Sequence, residues 1–145
     1  MLQSIQIRHC MQHQPPHVRD DNNVYEAIDQ IISQQISGLC VVDHSGKLVG
    51  VLSELDCLRA ILSATYNESA VGNVREHMST ELEVADISED IVDVASRMLK
   101  NNRRRLPVVE DGRLVGQITC RQILNAVKAF VDRQHVQHVM DDTAY

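Results

Sequence analysis

Two hydrophobic periods alternate along this chain, and the alternation occurs twice. Val24, Ala27, Ile28, Ile31 and Ile32 recur at the spacing of one helix face, as do Ile91, Val94, Ala95, Met98 and Leu99. Asp21 or Asn22 is placed to cap the first of these helices, and Ser88 the second. Each helix is followed by two apolar runs around a turn. Leu39–Asp43 and Lys47–Leu52 flank His44-Ser45-Gly46, while Leu106–Glu110 and Arg113–Ile118 flank Asp111-Gly112, a strong tight-turn pair. A short extended segment precedes each first helix, around His17-Val18 and over Leu82-Glu83-Val84. A second helix closes each copy, from Glu54 to about Thr65 and from Cys120 to about Val131. The order is β-α-β-β-α, twice.

The two copies keep register. Arg8-His9-Cys10-Met11 aligns with Arg75-Glu76-His77-Met78, and Leu39–Asp43 aligns with Leu106–Glu110. The first hairpin turn holds one extra residue. After it Leu48-Val49-Gly50-Val51-Leu52-Ser53-Glu54-Leu55-Asp56 matches Leu114-Val115-Gly116-Gln117-Ile118-Thr119-Cys120-Arg121-Gln122. Ser53 suits an N-cap, with Glu54 and Asp56 in the electropositive first turn. A copy of about 60 residues is marginal alone. The expectation is therefore an α+β (α/β) fold of two β-α-β-β-α repeats packed sheet to sheet with pseudo-two-fold symmetry, over residues 4–66 and 74–133. A polar linker spans 63–73, and the tail 134–145 extends the last helix by a turn or two before fraying. Ile5 and Ile7 read as an added edge strand.

Composition narrows the class. Apolar residues make up 43% of the 145, aromatics only 3%, and there is no Trp, so the core is aliphatic. No apolar run is long enough to span a bilayer, and the N-terminus lacks a signal-peptide core, which reads as a soluble, cytoplasmic protein. A net charge of −6 argues against nucleic acid and anionic membrane as main partners. Cys40 and Cys57 sit in apolar patterns and read as buried hydrophobes. His9, Cys10, His13 and His17 are close in sequence, but Pro15-Pro16 breaks any helix that would stack them. His135 and His138 are two ligands short of a zinc site, so no metal is expected.

Ile36-Ser37-Gly38-Leu39-Cys40-Val41-Val42-Asp43, the Gly46–Asp56 stretch and Arg104-Arg105-Leu106-Pro107-Val108-Val109-Glu110 together resemble tandem CBS domains, the paired module named after cystathionine β-synthase. The resemblance covers about residues 4–130 and matches a stand-alone CBS pair. It implies a regulatory module, not an enzyme, that commonly forms a homodimer and binds an adenosyl ligand: AMP, ADP, ATP or S-adenosylmethionine. It also implies a protein partner regulated in trans.

The resemblance assigns the ribose to Asp56, with the Ser53 hydroxyl close by. An ionised carboxylate offers two acceptors for two vicinal hydroxyls, each charge-assisted bond contributing about 1.5–3 kcal/mol. Arg104 and Arg105, with Arg121, fall at the phosphate positions, and the Leu82–Val84 backbone at the adenine. Guanidinium groups grip phosphate bidentately. In the second copy the pair is Thr119 and Gln122, a degenerate site whose neutral amide contributes about 0.5–1.5 kcal/mol. The first-copy position equivalent to the arginines, Ile36-Ser37-Gly38, has no cation, which favours AMP or ADP, or a ligand with little charge, over a triphosphate. Two plainer readings stand beside these. Ser53 and Asp56 can serve as helix-start residues for which capping needs only Ser53, and Arg103–Arg105 can be a solvated helix end complementing the C-terminal dipole. A structural interaction module with a vestigial pocket is the alternative function.

Overall fold

The structure is a computed structural model that describes residues 1–142; residues 143–145 lie outside the described part. In chain order the elements are β1 (Gln12–His13), β2 (His17–Arg19), α1 (Val24–Gln34), β3 (Gly38–Val42), β4 (Leu48–Ser53), α2 (Glu54–Asn67), β5 (Ala85–Asp86), α3 (Ile91–Lys100), β6 (Arg105–Glu110), β7 (Arg113–Thr119) and α4 (Cys120–Asp142). Two compact units result. One holds residues 14–83 and the turn 109–114; the other holds residues 1–13, 84–108 and 115 onward.

In the first-repeat unit, β2 pairs in parallel with β3, and β3 pairs antiparallel with β4, Leu39 opposite Leu52 and Val41 opposite Gly50. Its core is aliphatic: Val18, Val24, Ala27, Ile31, Leu39, Val41, Leu52, Val71 and Val74 are buried, along with Cys57. Cys40 is buried as expected. Ile32 was expected on the apolar face of α1, yet it stands 70% exposed. The cap of α1 is Asn23, not Asp21 or Asn22; its side chain accepts from the Tyr25 N–H at 2.9 Å. The two earlier residues are already engaged. Asp21 pairs with Arg19, and the Asn22 side-chain oxygen accepts from the Arg19 N–H to close a turn.

The second-repeat unit has a four-stranded sheet in the order β1-β7-β6-β5. Its core contains Ile7, Met11, Ala85, Ile91, Val94, Met98, Leu106, Val108, Ile118 and Ile123. The cap of α3 is Asp90, whose carboxylate accepts from Val92 and Asp93 at 2.8 and 3.0 Å. Ser88 is instead tied into a turn, donating through N–H and hydroxyl to Asp86 at 3.0 and 2.6 Å. Leu99, placed on the apolar face by spacing, is 84% exposed.

Several boundaries depart from expectation. Ile5 and Ile7 do not form an edge strand. Ile7 opens a short 3-10 turn and is buried, and the edge is Gln12–His13, antiparallel to β7. Residues 80–84 have no regular structure, and the extended element before α3 is Ala85–Asp86. The linker begins later than 63, because α2 runs to Asn67. The last helix continues past Val131 as expected, but further than a turn or two: it runs to Asp142, 23 residues in all.

The Leu-Val-Gly glycines sit against methionines. A Cβ on Gly50 would fall 2.5 Å from Met78 Sδ and 2.9 Å from the Ser79 carbonyl oxygen; one on Gly116 would fall 2.5 Å from Met11 Sδ and 2.9 Å from the Gln12 carbonyl oxygen. The segment Met78-Ser79 bridges to β4 through reciprocal bonds between Val51 and Ser79 at 3.0 and 2.9 Å. Only a residue without a side chain lets these backbones approach so closely.

Candidate functional site

At the β4–α2 junction, Ser53 is extended and α2 starts at Glu54. The Asp56 N–H donates to Ser53 Oγ at 3.1 Å, and the Ser53 N–H donates to Asp56 Oδ2 at 2.9 Å. This is a reciprocal capping box. The expectation that capping needs only Ser53 is thus corrected, because Asp56 caps as well. Its second oxygen, Oδ1, accepts from Arg59 Nη1 at 3.0 Å. The Asp56 side chain is 15% exposed while that of Arg59 is 72% exposed. The carboxylate is therefore fixed by the backbone through one oxygen, and its other oxygen pairs with the exposed Arg59 guanidinium. Below it Cys57 is buried. Burial, with the neighbouring Asp56 and Glu54 carboxylates, pushes its thiol above the ordinary value, so it stays protonated.

The β7–α4 junction has the same geometry without the charge. The Thr119 N–H donates to Gln122 Oε1 at 2.9 Å, and the Gln122 N–H donates to Thr119 Oγ1 at 3.2 Å.

The arginines gather at this second junction. The Cys120 N–H donates to the Arg104 carbonyl at 3.0 Å, which sets the start of β6 beside the start of α4. Arg104, Arg105 and Arg121 are all exposed, and their guanidinium groups have no hydrogen-bond or ion-pair partner among the described residues. The first-repeat unit makes the same backbone bond, Glu54 N–H to the Ser37 carbonyl at 3.0 Å, but there Ser37 and Gly38 stand where the arginines would be. Leu82 and Val84 are half-buried. The Val84 carbonyl already accepts from Arg97 Nη1 at 2.8 Å, and Arg97 is held in turn by Glu89 at 2.6 Å. Ser53, Asp56 and Leu82 belong to one unit; Val84, Arg104, Arg105, Thr119, Arg121 and Gln122 belong to the other. Two participants escaped the sequence reading. Arg59 was signalled by its i,i+3 spacing from Asp56. Arg97 had no such signal, since its partner carbonyl lies in an irregular segment.

A family model for the CBS domain matches residues 7–63 and again 71–129. The chain belongs to the CBS-domain family, as a tandem pair. Among curated relatives, the uncharacterized protein MJ1225 of Methanocaldococcus jannaschii is 29% identical over 131 residues, covering 90% of this chain. The CBS pair spans only 46% of that relative's length. Among solved structures, CBSX2 of Arabidopsis thaliana in complex with AMP is 26% identical with a TM-score of 0.76, over 88% of this chain and 98% of that one. The CBS domain pair of protein MJ0100, in complex with 5′-methylthioadenosine and S-adenosyl-L-methionine, is 28% identical with a TM-score of 0.66, over 86% and 96%. The mixed α and β architecture of the pair agrees with these neighbours. Among the described residues, no helix is long and apolar enough to cross a membrane.

Proposed function

We propose that this CBS pair is a regulatory module that senses an adenosyl ligand, AMP or ADP foremost, and passes the signal to a partner protein. Ser53 and Asp56 hold the ribose, Arg104, Arg105 and Arg121 the phosphate, and the Leu82–Val84 backbone the adenine. The observation that carries this reading is the set of three exposed guanidinium groups with no protein counter-ion, in a chain of net charge −6. Such a set favours an anionic ligand. The AMP-bound CBSX2 structure supports the adenosyl class. Absence of a cation at Ser37-Gly38 supports a short phosphate chain over ATP. Thr119 and Gln122 form a weaker second site. Ligand acts as a switch only through unequal affinity for two arrangements of the protein.

S-adenosylmethionine or methylthioadenosine is a second reading, favoured by the MJ0100 complex. Titration calorimetry separates the two. Wild type is expected to bind AMP, with Arg104→Ala/Arg105→Ala weakening AMP at least tenfold and leaving methylthioadenosine, which has no phosphate, unaffected. An AMP affinity indifferent to both the arginines and Asp56 would remove the assignment.

Pairing of two chains is part of the proposal. Leu55, Leu58, Leu62 and Tyr66 are exposed at helical spacing along α2, while the positions 66 residues later on α4 read Arg121, Leu124, Lys128 and Asp132. A second copy covering the α2 stripe makes Leu58→Glu a monomer by light scattering; an unchanged mass would exclude that surface.

A further inference from the structure

The second-repeat unit contains a groove of about 380 Å³ between the N-terminal segment and one face of α4. Ile5, Ala126 and Ala129 give it an apolar floor. Its polar wall is made of His9, Gln122, Asn125 and Arg133. No carboxylate lines it. The wall groups are idle: the His9 ring, the Asn125 amide, the Arg133 guanidinium and Gln122 Nε2 have no hydrogen-bond or ion-pair partner among the described residues. Gln122 Oε1 already accepts from the Thr119 N–H in the capping box, while both Nε2 hydrogens remain to donate.

The other repeat provides an internal control. Its counterparts of Gln122 and Asn125 are Asp56 and Arg59, which pair with each other at 3.0 Å. Its counterpart of His9 is Glu76, which accepts from the Asn73 N–H; its counterpart of Cys10 is His77, whose Nε2 lies 2.6 Å from the Val71 carbonyl. Where the first repeat closes on itself with satisfied polar groups, the second presents open donors around a recess. His9, Asn125 and Arg133 are exposed and Gln122 is half-buried, so these donors face solvent beside an apolar floor, an arrangement that matches a ligand with an apolar body and an anionic head.

We propose that this groove is a second ligand site, specific for a small organic anion, a carboxylate or a phosphate monoester on a short apolar chain. Arg133 receives the charge, Gln122 and Asn125 donate to its oxygens, and the alanine strip holds the chain. Gln122 is the only residue it shares with the adenosyl reading, and it does not depend on Asp56. The site exists because α4 continues past Val131 and carries Arg133 with it.

The test is amide-detected NMR on the full chain with three probes: butanoate, butyl phosphate and the neutral butanamide. One or both anions should shift the amides of His9, Ala126 and Ala129, and which anion binds tighter decides between carboxylate and phosphate. Arg133→Gln, at an exposed position, should weaken that anion at least tenfold. Ala126→Leu should block it, Asp56→Asn should leave it unchanged, and AMP at a concentration that fills only the Asp56 site should not compete. The proposal is overturned if butanamide binds as well as the anions, if Arg133→Gln binds normally, if AMP displaces the probe at a concentration that fills only the Asp56 site, or if neither anion shifts these amides at millimolar concentration.

Discussion

Ser53 and Thr119 end equivalent strands and begin equivalent helices, and the backbone cannot tell them apart. The box bonds are 2.9 and 3.1 Å at one junction, 2.9 and 3.2 Å at the other. Chemically the junctions are opposites. One carries a carboxylate and lacks strand-end cations; the other carries a neutral amide and two strand-end arginines. An amide oxygen caps a helix as well as a carboxylate oxygen does, so folding tolerates either. What the exchange alters is the charge left over for a ligand. The comparison separates the part of the motif that builds the fold from the part free to specialise.

The strongest way to test the structural half of that equivalence lies three residues upstream. Gly50→Ala and Gly116→Ala should each destabilise by about 1–3 kcal/mol in denaturant unfolding, through overpacking. The methionine sulfur can swing away, but the carbonyl oxygens of Ser79 and Gln12 cannot. A neutral result at either glycine would break the symmetry. Next comes the chemical half. Asp56→Asn should retain the box yet weaken AMP about tenfold by calorimetry, whereas Gln122→Ala should change AMP affinity little. Equal losses would mean the two junctions contribute alike.

Smaller effects sharpen the picture. Ser53→Ala and Thr119→Ala should cost about 1 kcal/mol each, matched between junctions, in chemical denaturation. Arg59→Ala removes a largely exposed ion pair and should change stability by less than about 1 kcal/mol. The smallest effect is at the first hairpin. The Ser45 hydroxyl, with the Ser45 and Lys47 N–H groups, lowers half-buried Asp43 from 3.8 to about 2. A lowered folded-state value means that its contribution is full above about pH 4 and lost as pH falls through about 2. Ser45→Ala should raise the Asp43 midpoint in a carboxyl carbon NMR titration.

The repeat carried most of the fold in plain view, since an offset of 67 residues, falling to 66 after the first hairpin turn, gives each strand–helix pair twice. Asp56 and the arginines were legible because carboxylates and cations at a strand-to-helix turn are rare enough to notice. Caps were harder. Asp21, Asn22 and Ser88 have capping chemistry, but Asp21 is paired with Arg19 and the other two are bound into turns, which left Asn23 and Asp90 to do it. The Ile5-x-Ile7 alternation imitated a strand, while the true edge pairs through its backbone and so leaves no apolar trace at Gln12–His13. The polar residues after Val131 were read as adding only a turn or two to the last helix, which runs on to Asp142, and no spacing in the sequence marked the groove against its face.

The lead-in segments have a consequence for dissecting the molecule. Met78-Ser79, which precedes the second repeat in sequence, completes the first repeat's sheet, and Ile7 through His13, which precede the first, complete the second's. Fragments cut at the apparent boundary near residue 70 would each come away missing a piece. A self-sufficient second repeat has to be made by excising residues 14–83 and joining residues 1–13 to residue 84, while the first can be excised only if its cut is moved past Ser79.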